Sequence, residues 1–343
     1  MKTANIKLST IESLIKIEGV EISPKDSLWV NRMQEAGEYL KSEIKAVTAE
    51  GVTFNREKAK NYLHALSFNI ESTDIQYHSV KVNEQEKEDK QKTDTVISGN
   101  QTWSLYELIS PILSSISIDN IDIEKTKFNY LLSQDDFTDI YTFFEFDFHA
   151  NKFLIDSLSE QHKKFWYVDN FTLKGANING RMESNNTEMG ATQLYLDTKE
   201  KKFLLSDIEV KPLSRTSGKD YMEGEIKQIS INGLDYDTGI SAEELQVDSF
   251  NIKYFKLPGK RSKREKTKQQ DSPDDIFEML NPYANYLSVK RIDLKDASIV
   301  IENIANREKY RFQNMDFYAT EFMINDQTRR TSSFLFTSED IGF

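Results

Sequence analysis

Hydrophobic and polar residues alternate along most of this chain, and the alternation slips in the same way six times. Ile15-Lys-Ile17-Glu-Gly19-Val20-Glu-Ile22 carries mostly apolar residues at positions 1, 3, 6 and 8, a charged or amide residue at position 4, and Gly, Asn or Asp at position 5. The pattern returns as Val47–Phe54, Ile116–Ile123, Phe171–Ile178, Ile229–Tyr236 and Ile292–Ile299, with 32, 69, 55, 58 and 63 residues between first positions. A fixed element at a roughly regular period marks a repeat architecture.

Side chains of a strand point alternately to its two faces. Positions 1 and 3 therefore share a face, and a straight strand would turn 6 and 8 away from it. One residue absorbed at positions 4 and 5, as a bulge or sharp bend, returns all four to one side. Gly, Asn and Asp tolerate the backbone angles of such a kink. A two-residue hairpin is the alternative, since Asn232-Gly233 is a strong turn signal. The Lys-Asp and Glu-Gly pairs of other copies suit the bulge better.

Strand-like stretches rich in alternating aromatics follow at 66–77, 143–155, 192–205, 245–257 and 312–324. The expected fold is mainly β with a few short helices: an elongated, twisted antiparallel sheet of repeated kinked-strand units forming a curved hydrophobic groove. Residues 1–343 form one elongated repeat domain on this reading, with units beginning near 15, 47, 116, 171, 229 and 292, each touching mainly its neighbours. Residues 5–22 read as a first strand or hairpin. Three- and four-residue apolar spacing predicts helices over 26–42, 103–114 and 274–287, the last opened by Ser272-Pro273-Asp274-Asp275, with a short one at 56–64. Pro111 and Pro282 would kink or shorten theirs. Residues 81–102 and 258–272 are flexible polar loops.

Composition narrows the function. The net charge of −12 argues against a general nucleic-acid binder. The absence of cysteine excludes disulfides and thiolate metal sites. No apolar run approaches the ~18 residues a spanning helix needs. Met1-Lys-Thr-Ala enters strand-like sequence at once, without a signal peptide, and the C-terminus stops within an apolar alternation. The chain thus reads as an internal piece of a longer protein. None of His64, His78, His149 and His162 falls in a zinc-site spacing, and no P-loop, GxGxxG or GxSxG motif is present, so neither enzyme, metal nor cofactor is expected.

The aromatic stripes are either plain core or, where helices leave them uncovered, an apolar trough, which a protein in water keeps open only for an occupant. Acyl chains suit a long trough without fixed polar groups. The groove candidates are Ile116, Ile118, Ile121, Ile123, Phe144, Phe146, Phe148, Leu194, Leu196, Ile229, Ile231, Leu234, Phe250 and Ile252. Lys260, Arg261, Lys263 and Arg264, in the basic connector, are candidates for lipid head-group contact.

The segments ISIDNIDI and IDLKDASIVI, followed by strands ending in FHANKFLID and FYATEFMIND, resemble the repeats of AsmA-like and translocation-and-assembly-type envelope proteins. The flavour is that of the large Bacteroidota members, and the bridge-like lipid transfer proteins are more distant relatives. The resemblance covers nearly the whole chain through degenerate, hydrophobic motifs. It implies a β-groove anchored in the inner membrane by an N-terminal helix missing here, projecting into the periplasm, with phospholipid or another acyl-chain lipid as cargo. It further implies phospholipid transport between membranes or support of outer-membrane assembly, with envelope proteins as partners. The functional expectation is a non-enzymatic segment binding or conducting acyl chains. The alternative is a β-rich surface or scaffold protein acting through protein contacts.

Overall fold

A computed structural model describes residues 5–23, 37–57, 60–81, 106, 109–134, 137–159, 167–215, 220–236, 239–257, 286–304, 306–325 and 338–342. The protein is nearly all β, and its strands pair into open, twisted mixed sheet. The chain divides into two compact units, Met1–Ala176 and Asn177–Phe343, where the sequence reading expects one body.

In unit 1 the strands are β1 (Asn5–Ser9), β2 (Leu14–Ile22), β3 (Gly37–Glu50), β4 (Thr53–Glu57), β5 (Lys60–Lys81), β6 (Ser115–Gln134) and β7 (Phe137–Ile155). Their order is β1-β2-β3-β5-β6-β7, with β4 also paired to β5. The division between units falls within β8 (Asn170–Met182). Unit 2 continues with β9 (Thr187–Asp197), β10 (Lys202–Pro212), β11 (Tyr221–Asn232), β12 (Asp235–Tyr236), β13 (Ile240–Lys256), β14 (Tyr286–Asn303), β15 (Glu308–Asn325) and β16 (Asp340–Gly342). Its order is β9-β10-β11-β13-β14-β15-β16, with β12 beside β13.

The pairing is mixed, not wholly antiparallel as expected: β5 and β6 run parallel, as do β13 and β14. A parallel pair needs a crossover of a dozen or more residues. The connections leaving β5 and β13 carry the two long polar stretches of the sequence, and they supply that length.

The two units repeat each other strand for strand, so the true repeat is coarser than the octapeptide. Each has a hairpin, two antiparallel strands, a parallel crossover and a return strand. Details coincide as well. Val52 N donates to Ser13 O at 2.9 Å, and Leu234 N donates to Lys201 O at 2.9 Å. Lys125 N donates to Asp147 Oδ1 at 2.9 Å, and Asp296 N donates to Asp316 Oδ1 at 3.0 Å.

The kinks are not hairpins: the strand line runs on through them. Thr53 pairs with His64 in the same register in which Glu50 pairs with Ser67, so β3 and β4 are one strand line interrupted at Gly51-Val52. Asn232↔Glu244 and Asp235↔Ser241 show the same for β11 and β12. Position 5 is left-handed in four of the six copies, at Gly19 (φ 61°), Gly51 (63°), Gly233 (67°) and Asp296 (49°). The same pattern with a left-handed fifth residue also occurs at Ser72, Lys125, Lys152, Asp207, Ser249, Asn314 and Glu321, with φ between 48° and 55°. Five of these seven are Ser, Lys or Glu, residues the sequence pattern did not admit.

A left-handed non-glycine residue costs roughly 1–2 kcal/mol. Each kink in return keeps the following apolar residues on the buried face, and burying one such side chain contributes roughly 1.5–3 kcal/mol. Burial outweighs the strain, so residue identity at the kink is loosely constrained. The kinks are also aligned across strands. Gly19 stands opposite Lys45, Lys45 opposite Ser72, and Ser72 level with Lys125. Unit 2 has Asp207, Lys227, Ser249 and Asp296 in the same arrangement.

Several expected helices give way to strand. Of 56–64, residues 56–57 end β4 and 60–64 open β5, because the two strands pair, Phe54 with Leu63 and Asn55 with Tyr62; 58–59 lie outside the described residues. Residues 37–42 belong to β3, where pairing with Tyr77 and Ile75 of β5 overrides the helical spacing, and 286–287 open β14. The remainders of those two segments lie outside the described residues, as do 82–102 and 258–272. Of 103–114, a helical turn is described, with Ser110 N and Leu113 N donating to Tyr106 O and Ile109 O, each at 2.8 Å; Pro111 limits its length.

Relief of left-handed strain should be measurable. Lys152→Gly should raise the stability of the protein by about 0.5–1 kcal/mol in urea unfolding, because Gly occupies this backbone freely. Gly233→Ala should lower it by about 1–2 kcal/mol, while Gly190→Ala, where an added Cβ meets nothing nearer than 3.8 Å, should change it by less than about 0.5 kcal/mol.

Candidate functional site: an apolar groove in unit 1

Cross-strand pairing carries the apolar positions of unit 1 into continuous rows. Ile17, Val47, Ile70, Ile123 and Phe148 are paired in sequence across β2, β3, β5, β6 and β7. Ile15, Ala49, Phe68, Ile121 and Ala150 form the next row. Directly opposed residues share a face, so each row is a hydrocarbon stripe across the sheet. Beyond the kink at 119–120, Leu63–Ile116–Ile155 and Ala65–Ile118–Phe153 continue the same surface.

These rows line a groove of about 740 Å³, and among the described residues around it Ser117 is the one polar residue. Its extent along β6, from Ile116 to Ile123, is about 23 Å at about 3.3 Å per residue. One leaflet of a bilayer is about half of a ~30 Å hydrocarbon core, so the groove is long enough to hold an acyl chain. Its volume falls within the roughly 300–1,000 Å³ typical of small-molecule pockets.

The structure places the sequence-predicted residues as follows. Ile116, Ile118, Ile121, Ile123, Phe146 and Phe148 all line this groove, so the kink within 116–123 brings its four apolar positions to one side as expected. Phe144 does not join them. A register shift between Thr126↔Phe146 and Phe128↔Phe143 turns it to the other face, where it is 52% exposed beneath Lys127 Nζ, 5.6 Å from its centroid.

Leu194, Leu196, Ile229 and Ile231 lie in unit 2 on the apolar face of β9–β11, paired with Leu205 and Phe203 of β10. Phe250 and Ile252 of β13 oppose Ile226 and Gly224, and Leu234 is buried at the β11–β12 kink. Leu205, Ile226 and Ile229 pack on a core of Ala191, Ile208 and Val210. Lys260, Arg261, Lys263 and Arg264 lie outside the described residues.

The residues picked out from the sequence missed most of the groove wall. Ile15, Ile17, Val47 and Ala49 belong to the first two octapeptides and could have been found there. Phe68 and Ile70 sit in a copy with Ser72 at the kink, and Ile109 comes from the helical turn, which no strand pattern marks.

Past the groove the same face becomes aromatic. Phe128 lies 6.1 Å from Phe143 and 6.5 Å from Phe146, and Tyr77, Tyr130 and Tyr141 stack at 5.7 and 5.9 Å. Burial, then the nearby Asp139 and Tyr130, hold the Tyr141 phenol above its ordinary range. In unit 2, Tyr254 donates to Asp220 Oδ2 at 2.7 Å, and this bond with partial burial pushes its pKa up to about 12.

Two histidine arrangements on the polar face bear on chemistry. His64 Nδ1 is 3.0 Å from Ser117 Oγ, and its Nε2 is 3.7 Å from Asp119 Oδ2. The carboxylate is beyond hydrogen-bonding distance and does not orient the ring as a catalytic triad requires. By strand alternation the side chains of His64 and Ser117 point away from those of Ile116 and Ile118, although Ser117 is also among the residues around the groove. His149 Nδ1 meets Asp122 Oδ1 at 2.6 Å. Among the described residues no three His, Cys, Asp or Glu side chains are grouped to hold a metal ion. Ion pairs such as Lys45–Glu71 at 2.8 Å are exposed and add little to stability.

No protein-family model matches this chain, and no curated protein matches it significantly.

The groove should take up an apolar fluorescent dye such as bis-ANS. Ile121→Asp should reduce that fluorescence several-fold, while Phe144→Ser, on the opposite face, should leave it unchanged. Separately, His78 shares hydrogen bonds with Tyr39 Oη at 2.6 Å and Ser133 Oγ at 2.8 Å, and burial lowers its pKa from 6.5. The unfolded chain therefore binds this proton more readily. The contribution is intact above pH 6.5 and declines as pH falls from there toward the lower folded pKa. His78→Gln should flatten that part of the stability–pH curve measured by urea unfolding.

Proposed function

We propose that the groove of unit 1 shields lipid acyl chains from water, in a non-enzymatic protein that binds or conducts phospholipid. The observation that carries this reading is a cavity of about 740 Å³ whose wall, among the described residues, offers hydrocarbon almost everywhere and a single polar residue. Such a surface recognises neither a charged nor a hydrogen-bonding ligand. An occupying chain recovers about 0.8 kcal/mol for each CH₂ removed from water. A large apolar surface is kept open in water when something binds there. The resemblance to AsmA-like envelope proteins supports the same cargo. On that basis the full-length protein is a periplasmic lipid conduit anchored to the inner membrane, working with other envelope proteins.

Native mass spectrometry of the purified protein should detect co-purifying phospholipid, or phospholipid acquired from added vesicles, and Ile121→Asp should abolish the adduct. A wild-type protein that carries none under both conditions rejects the proposal and leaves the sheet as a scaffold for protein contacts.

A further inference from the structure

Three hydroxyl side chains stand where the rest of the apolar face is hydrocarbon. Ser42, Thr73 and Thr126 are 3%, 4% and 0% exposed, and none of their oxygens has a hydrogen-bond partner among the described residues. Thr73 is paired with Ile44, Ser42 with Ile75 and Thr126 with Phe146. Ile75 is in turn paired with Phe128. Since Phe146 lines the groove and packs near Phe128, all three hydroxyls share the groove's face. They lie one and two ladder levels past the row that ends in Ile123 and Phe148.

Removing a hydroxyl from water without giving it a partner is unfavourable, and native proteins leave few such groups. The repeat provides an internal control. At the positions of unit 2 that correspond to Ser42, Thr73 and Thr126 stand Gly224, Phe250 and Ala297, none with a side-chain hydroxyl. The fold of the repeat therefore does not require these oxygens.

We infer that Ser42, Thr73 and Thr126 form the polar end of the groove, donating hydrogen bonds to the ester carbonyl oxygens of a bound acyl lipid. The inference rests on the lipid reading of the groove and gives it a direction: the chain lies along Ile116–Ile123 and its ester end reaches the kink at Lys125. Hydroxyls are neutral donors suited to a carbonyl. A free carboxylate or phosphate would call for a cation, and the neighbouring Lys127 lies over Phe144 on the other face. The ring of Phe146, opposite Thr126 and in the groove wall, stands between the two regions and must shift when the ester end enters.

The test compares a fluorescent diacyl phosphatidylcholine with its dialkyl ether counterpart, which lacks the carbonyls, by titration into the full chain. The wild type should bind the ester about tenfold more tightly, the worth of one net hydrogen bond. The variant Ser42→Gly/Thr73→Val/Thr126→Ala should bind the two equally, with its affinity for the ether unchanged. Its lipid-free melting temperature should not fall, because unpartnered hydroxyls have been removed. Should the triple variant fail to fold, Thr126→Ala alone, the residue unit 2 carries at that level, should still narrow the ratio. Equal binding of both lipids by the wild type, or a ratio that survives in the variants, overturns the inference while leaving the groove. Binding of neither lipid by the wild type overturns the lipid reading itself.

Discussion

Cross-strand pairing of apolar side chains on one face is the constraint on which this structure depends. A strand alternates its side chains with period two, and these strands are long: β5 runs from Lys60 to Lys81 and β6 from Ser115 to Gln134. A pleated ribbon of that length cannot stay straight and still match its neighbours on a bending surface. The chain responds by absorbing single residues, and it does so at the same level in adjacent strands. Gly19, Ser72 and Lys125 in unit 1, and Asp207, Ser249 and Asp296 in unit 2, are all left-handed at aligned positions. Because neighbours kink together, the ladder keeps its register on both sides of most kinks, and the hydrocarbon rows remain unbroken.

That coordination explains where the crowded positions fall. Thr126 and Ala297, each next to a left-handed residue, are both 0% exposed. Ala150 and Ala319, each two residues before another kink, are at 0% and 2%. A small side chain fits where two segments of the sheet close upon each other. The groove of unit 1 opens where the rows between such closures are built from Ile, Val and Phe. Its geometry is thus a by-product of the same kinks that keep the sheet in register.

Duplication with divergence is the second theme. Both units share the hairpin, the parallel crossover, the Asp side chain that accepts from the kinked backbone of the central strand, and the tyrosines at one end of the apolar face. They differ in what fills the face. The three unpartnered hydroxyls of unit 1 are matched by hydrogen, aromatic and methyl side chains in unit 2, and His64, Ser117 and Asp119 are matched by Ser241, Ser288 and Lys290. The scaffold is common to both, and the chemistry is local to one.

Alternation alone determined that this protein is a kinked β-sheet with an oily side. The octapeptides Ile116–Ile123 and Ile292–Ile299 held enough information to place their four apolar residues together, because face follows directly from residue spacing. Tertiary structure decided the rest. Kinks at Ser72, Lys125 and Lys152 were hidden because a left-handed backbone there is imposed by the paired neighbours, not preferred by the residue. Phe144 left the groove for a register shift that only its partner strand β6 reveals. The parallel pairing of β5 with β6, the strand at 37–42 and the meeting of Ser42, Thr73 and Thr126 all join residues distant in sequence. Local spacing fixes which way a side chain points, but only the partner strand fixes what it points with.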